Sequence, residues 1–263
     1  QVGGVSRIGQ AKTKYFISCT GQEGTVIPVG ALIQSSSRPQ RTFQAVSASI
    51  ISSANWRKLA IRPIESIAGT FTFDFGVSRN ATSGEVGTYA ESSSVTKKMT
   101  VSSYDDAYSQ MLAAVQSFDA LVKFGIAVSD ETDDQGEHSI VLTASGAADS
   151  FSATLCKYIT VTEVTSNIQF ESAEYGSYVL ADGVITQIVT TVDGWTACTN
   201  DIAPIKGRLT QTDAEARTSY TNRVASRGTG TVASIVSLLY SDVDGVTFAA
   251  GYENYNDTTD AAG

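Results

Sequence analysis

One histidine and three cysteines in 263 residues leave little with which to build a metal centre or a redox site. Cys19, Cys156 and Cys198 show no Cys-x-x-Cys spacing, so neither a zinc site nor a thioredoxin-like motif starts here. So sparse and odd a set of thiols argues against a disulfide framework and fits folding in a reducing compartment, with one bridge between two distant cysteines left open. Basic charge is also short: 18 Lys and Arg face 27 Asp and Glu, a net charge of -9. Nucleic-acid binding needs clustered cations to neutralise phosphates, and the two local clusters, Arg57-Lys58 with Arg62 and Lys97-Lys98, read as solvated faces. No run approaches the ~20 consecutive apolar residues of a membrane span. Gln1-Val2-Gly3-Gly4 lacks the charged-then-apolar profile of a signal peptide. No internal repeat is present.

Catalytic chemistry is equally thin. His138 stands at the start of a β-prone run beside an acidic loop and reads as a surface histidine; no Gly-x-Ser-x-Gly elbow accompanies it. The loop Asp130 to Glu137 is rich in carboxylates but lacks the ligand order of a calcium-binding hand, so a solvated turn is expected. Glu171 with Glu174, or Asp182 with Asp193, are nominal carboxylate pairs for glycan hydrolysis, yet closeness in sequence does not make a cleft. Gly228-Thr229-Gly230-Thr231 precedes a helix, but no strand leads into it and no Gly-Lys-Ser/Thr follows, so it reads as a connector and not a phosphate loop. The residues therefore predict no catalytic set, no cofactor, no metal and no small-molecule substrate.

What is present is a chain with 42% apolar and 17% charged residues, enough to bury a core. Tyr15 to Cys19, Thr25 to Ile27 and Leu32 to Gln34 are short β-prone runs punctuated by Gly21, Gly24, Pro28 and Gly30. Phe43 to Ile51 alternates with Phe43, Ala45 and Ala48 inward. Thr70 to Phe75 alternates with period 2 and can pair with Val95 to Val101. Ser103 to Phe118 predicts a helix: Ser103 caps it, Asp105 and Asp106 favour its first turn, and Tyr104, Tyr108, Met111, Leu112, Val115 and Phe118 form its stripe. Phe124 to Ser129, His138 to Ala144 and Tyr158 to Val164 supply strands to cover that stripe, and Gly176 to Thr191 resumes the β pattern. After Trp195 a helix capped by Thr210 or Thr212 runs through Arg223. A second spans Thr231 to Tyr240 with Val232, Ile235, Val236, Leu239 and Tyr240 buried, and Gly245 to Ala249 reads as a strand.

The expected fold class is α+β. Residues 1–66 and 166–200 form a discontinuous β-rich domain, 67–165 an inserted α+β module, and 201–263 the helix-helix-strand part of a C-terminal α/β domain.

Five short motifs at the C-terminal end follow one another in order: Asp193-Gly194-Trp195 through Asn200, Thr212-Asp213-Ala214-Glu215-Ala216-Arg217 with Arg223, Gly228 through Ile235, Val243-Asp244-Gly245-Val246, and Tyr252-Glu253-Asn254. Gly24-Thr25-Val26-Ile27-Pro28-Val29-Gly30-Ala31 stands near the other end. Together these resemble the baseplate J family of contractile-tailed phages and related injection systems. Ala197, Cys198, Ala216 and the Ile202 to Ile205 stretch depart from its usual pattern, and 67–165 lies outside it. The resemblance implies a structural baseplate wedge component, not an enzyme. Such a component self-associates around the tail axis, links sheath and tube to peripheral parts, and contacts other baseplate subunits, with no nucleic acid and no membrane insertion. It further implies assembly in the host cytoplasm, residence in the virion tail, helices before Gln1 and more α/β domain after Gly263, so that the chain is a fragment. Interface candidates by the same likeness are Trp195, Asn200, Arg217, Arg223, Glu253 and Asn254. The alternatives are a tail receptor-binding adhesin, with an aromatic groove on the inserted module, and a tail-associated glycan hydrolase.

Overall fold

A computed structural model describes residues 8–80, 91–132, 136–146, 149–226, 232–242 and 248–251; within the helices, side chains are described except at 222–226, 233, 237 and 240–242. Among the described residues there are fourteen strands and four helices, a β-rich α+β fold as expected. No described helix is long and apolar enough to cross a membrane. Compactness divides the chain into two units, residues 12–207 and residues 1–11 with 208–263.

In the larger unit one strand organises the rest. β12 (Ile159–Tyr175) is 17 residues long and pairs along one edge with β1 (Lys12–Gly21), matching Phe170 with Tyr15 and Ile168 with Ile17. Its other edge serves two partners in turn: β6 (Lys58–Pro63) beside Ile159 to Thr165, then β4 (Thr42–Ala45) beside Phe170 to Ser172. The sheet forks from there. One arm continues through β10 (His138–Ala144) to β9 (Ile126–Thr132), the other through β3 (Leu32–Ser35) to β13 (Ile185–Ile188). β14 (Trp195–Thr199) lies on the far side of β1, setting Cys198 opposite Cys19. A short ribbon joins β2 (Thr25–Ile27) to β5 (Ser49–Ile51). A second sheet holds β11 (Phe151–Leu155), β7 (Gly69–Arg79) and β8 (Ser92–Val101) in that order.

The pattern of β7 shows why it forms. Phe71, Phe73, Phe75 and Val77 are buried and Thr70, Thr72 and Asp74 exposed, the alternation that a pleated strand converts into one wet and one dry face. Helix α1 (Tyr104–Gln116) touches β6, β8 and β9. Ser103 caps it by accepting a bond from the Asp106 amide, and Ala107, Tyr108, Met111, Ala114 and Val115 face inward. The short α2 (Asp119–Lys123) follows directly and carries Phe118 and Phe124 into the core.

One contiguous core runs from Tyr15 to Cys198 and includes Trp56, Phe73, Phe151 and Phe170. The expected boundaries at 66/67 and 165/166 fall within it. β6, placed by sequence in the first segment, pairs with β10, and β12 passes residue 165 without a break. Residues 201–207, assigned by sequence to the C-terminal domain, return to β1 through paired backbone bonds between Lys14 and Ile205.

Several local expectations are corrected. The run Phe43 to Ile51 is two strands, because after Ala45 the chain leaves β12 to pair with β2, and Ala48 is exposed. Tyr178 to Leu180 forms no strand. Side chains of β1 satisfy its backbone instead: Thr13 Oγ1 accepts from the Tyr178 amide (2.9 Å) and the Tyr15 hydroxyl accepts from the Leu180 amide (2.7 Å). β11, β14 and α2 are additional elements.

In the smaller unit, α3 (Asp213–Ser226) begins with a reciprocal cap. Thr212 Oγ1 accepts from the Glu215 amide and Glu215 Oε2 accepts from the Thr212 amide at 2.8 Å. Helix α4 (Val232–Asp242) packs on α3. Its expected buried stripe is corrected: Ser234 is buried, while Ile235 and Leu239 are 56% and 40% exposed. The expected strand Gly245 to Ala249 falls mostly on 243–247, outside the described residues, and Phe248 and Ala249 have no regular structure.

Candidate functional site

Two of the segments singled out by sequence, Gly24 to Ala31 and Asp193 to Asn200, meet in the larger unit. The Gln22 amide donates to the Gly194 carbonyl (2.8 Å), and a Cβ on Gly194 would collide with Thr25 Oγ1. Gly194 also sits at φ 82°, where a side chain is strained, so both its conformation and its neighbour demand glycine. Gly30, at φ 78°, turns the chain between β2 and β3 in the same way.

Trp195 and Asn200, expected at an interface, are interior. Trp195 is 6% exposed, stacks on Phe170 and donates its indole N–H to the Ala197 carbonyl. Asn200 is fully buried: Oδ1 accepts from the Ile185 amide (2.7 Å), Nδ2 donates to the Ala181 carbonyl (2.8 Å), and its own carbonyl accepts from Gly183. Asn200 ties the end of β14 to β13 and Trp195 packs β14 on β12, so both side chains make their contacts inside the fold. Arg217 is exposed on α3. Arg223 lies on the same helix with its side chain outside the described residues, as are Glu253, Asn254 and the Gly228 to Thr231 connector.

The larger unit also presents an apolar patch to solvent. Val26 on β2 and Ile50 on β5 are register partners, 52% and 53% exposed, with Val29 and Val46 exposed nearby in sequence. Cross-strand partners point to the same face, so the two form one patch on the ribbon. Sequence reading passed over it because two short strands show no periodicity that separates an exposed valine from a buried one.

Several of the charged side chains are committed to one another. Arg57, expected on a solvated face, forms an ion pair with Asp201, and its guanidinium also donates to Ser18 Oγ (2.7 Å). Lys58 pairs with Glu131 at 3.1 Å and Arg62 with Glu137 at 3.8 Å. Of the nominal hydrolase carboxylates, Glu171 accepts from Lys12 and Gln44, each at 2.8 Å, and the lysine contact, ahead of the Gln44 bond, holds it below the usual carboxylate range. Glu174 takes bonds from Arg41 and Tyr178. Asp182 and Asp193 lie exposed in turns. Among the described residues no three His, Cys, Asp or Glu side chains converge as a metal site would require.

A groove of ≈ 480 Å³ runs beside α1, lined among others by Tyr104, Tyr108, Leu112, Asp130 and His138. The Tyr108 hydroxyl donates to Asp130 Oδ1 (2.7 Å), and His138 Nδ1 lies 3.1 Å from the same oxygen. Burial, followed by the bond to a carboxylate, pushes the Tyr108 phenol up, while the tyrosine and then the histidine hold Asp130 down. A phenol that donates to a carboxylate leaves both oxygens with capacity to accept from a polar ligand.

No family model matches the chain, and no curated protein matches it.

Proposed function

We propose that the chain is a structural component of a contractile-tail baseplate, a wedge-type part whose work is done by surfaces that bind other subunits and further copies of itself. The observation that carries the reading is the junction of the two family-like segments: Gly24 to Ala31 and Asp193 to Asn200, far apart in sequence, are neighbours in one β frame through Gln22, Thr25 and Gly194. Motifs that resemble one family at both ends of a chain make sense when they build one domain. The apolar patch of Val26 and Ile50 on that frame supports an assembling role, because an exposed apolar pair on a small ribbon gains stability when a partner covers it. Assembly without the chain tests the reading. Cells making every other tail component are expected to accumulate tubes and sheaths that lack a joined baseplate; complete contractile tails would overturn it.

A second reading is favoured by the α1 groove. Tyrosine faces, a fixed carboxylate and a donor side by side match the surface of a glycan, which would make the chain a tail adhesin. Saturable binding of host-surface glycans that Tyr108→Ala abolishes would support it, and no binding to any of them would remove it.

A further inference from the structure

Two long strand edges have no strand partner among the described residues: β8 at the end of the three-stranded sheet and β9 at the end of the nine-stranded one. Both are wet. Ser94, Thr96, Lys97, Lys98 and Thr100 of β8 are exposed, and so are Ser129 to Thr132 of β9. An edge presents a row of unpaired N–H and C=O groups, which water satisfies until another strand does. Some other edges are covered. β11 is met by backbone bonds from Ser53 and Trp56, and Asn200 and Gly183 close the space between β13 and β14.

The two open edges carry opposite charge. β8 contains Lys97 and Lys98 and no acidic residue, and neither lysine takes part in an ion pair among the described residues. β9 contains Asp130 and Glu131 and no basic residue. Lys58 pairs with Glu131 at 3.1 Å, and Asp130 accepts from the Tyr108 hydroxyl with His138 Nδ1 3.1 Å away. Like pairing with like would oppose lysine to lysine on β8, or carboxylate to carboxylate on β9, and like charges opposite one another destabilise a strand pair.

We propose that β8 of one copy of this chain docks against β9 of the next, a head-to-tail contact between two different surfaces. An arrangement of this kind propagates: each copy keeps a free β8 at one end and a free β9 at the other, so the assembly closes into a ring or continues as a helix, and a two-fold dimer does not form through either edge. This deepens the baseplate reading and rests on it only for the ring; the contact itself stands on the edges and their charge.

The test is sedimentation of the full chain over a range of concentration and salt. Wild type is expected to associate at low salt and to dissociate as salt rises, because exposed charges separated by more than the Debye length, about 8 Å at 0.15 M, are screened. Reversing the basic edge with K97E/K98E, or the acidic one with D130K/E131K, is expected to weaken association by about tenfold or more, equivalent to ~1.4 kcal/mol. An equimolar mixture of the two variants is expected to associate again, since each then meets an edge of opposite sign. Circular dichroism confirms that both variants are folded; should one not fold, the other still reads the contact through its loss of association. A chain that stays monomeric at every concentration, association that ignores both reversals, or a mixture that stays dissociated overturns the proposal. Association through other surfaces with correct placement in the tail would leave the baseplate reading standing, so the two failures are told apart.

Discussion

The β1–β14 pair and the β2–β5 ribbon belong to the same unit, yet they use apolar residues in opposite ways. β1 and β14 bury Tyr15, Ile17, Cys19, Trp195 and Cys198, while the ribbon leaves Val26 and Ile50 half in water. The difference teaches that a large or distinctive residue in a motif is a poor guide to a contact surface. Trp195 and Asn200 are distinctive because the interior needs their shape and hydrogen bonds. The surface that can be covered by a partner consists of ordinary β-branched residues.

Substitutions in the two places should separate these roles. Phe170→Ala, which removes a fully buried ring packed on Trp195, is expected to cost about 3–5 kcal/mol in denaturant unfolding followed by tryptophan fluorescence. A cost under about 1 kcal/mol would mean that β12 is not the centre of the core. Asn200→Ala strands the Ile185 amide and the Ala181 carbonyl and is expected to cost about 1–3 kcal/mol by the same measurement. Replacing Val26 and Ile50 with serine is expected to change stability by no more than about 0.5 kcal/mol each. Binding to other tail subunits should nevertheless weaken in a pull-down; a large loss of stability would place the ribbon with the interior.

Smaller effects sharpen the comparison through titration. Burial raises the Cys19 thiol far above its ordinary value, with the neighbouring Cys198 adding to the effect, and raises Cys198 to about 11. The thiolate is the reactive form, so a thiol reagent at pH 8 should label the half-buried Cys156 first and reach the β1–β14 pair only on unfolding. Tyr108→Phe removes the bond that contributes most to holding Asp130 down. A carboxyl with a lowered folded-state value stabilises the fold above the ordinary range, roughly pH 4, and loses that contribution as pH falls through the folded-state value. The variant should therefore shift the Asp130 carbon resonance titration upward and flatten the acid limb of stability slightly.

Local pattern carried much of the fold. The alternation of Thr70 to Phe75 and its pairing with Val95 to Val101, the Ser103 cap and stripe of α1, and the capping residues of α3 are all readable because each is decided within a few residues. The remainder depends on distant partners. β11 and β14 are short, contain small residues and exist because Trp56 and β1 lie beside them. Tyr178 to Leu180 alternates like a strand, but Thr13 and Tyr15 claim its backbone. Neither the apolar ribbon patch nor the groove beside α1 was legible residue by residue, since exposure of Val26 and the meeting of Tyr108 with Asp130 and His138 are properties of packed elements. That one core spans both ends of 67–165 is likewise hidden, because it depends on contacts between distant segments.

The account's central claim is tested most directly by the position of a labelled copy of the chain on purified contractile tails. Label at the baseplate rim, repeated around the tail axis, is the predicted result, and label on the distal fibres or the capsid would contradict it.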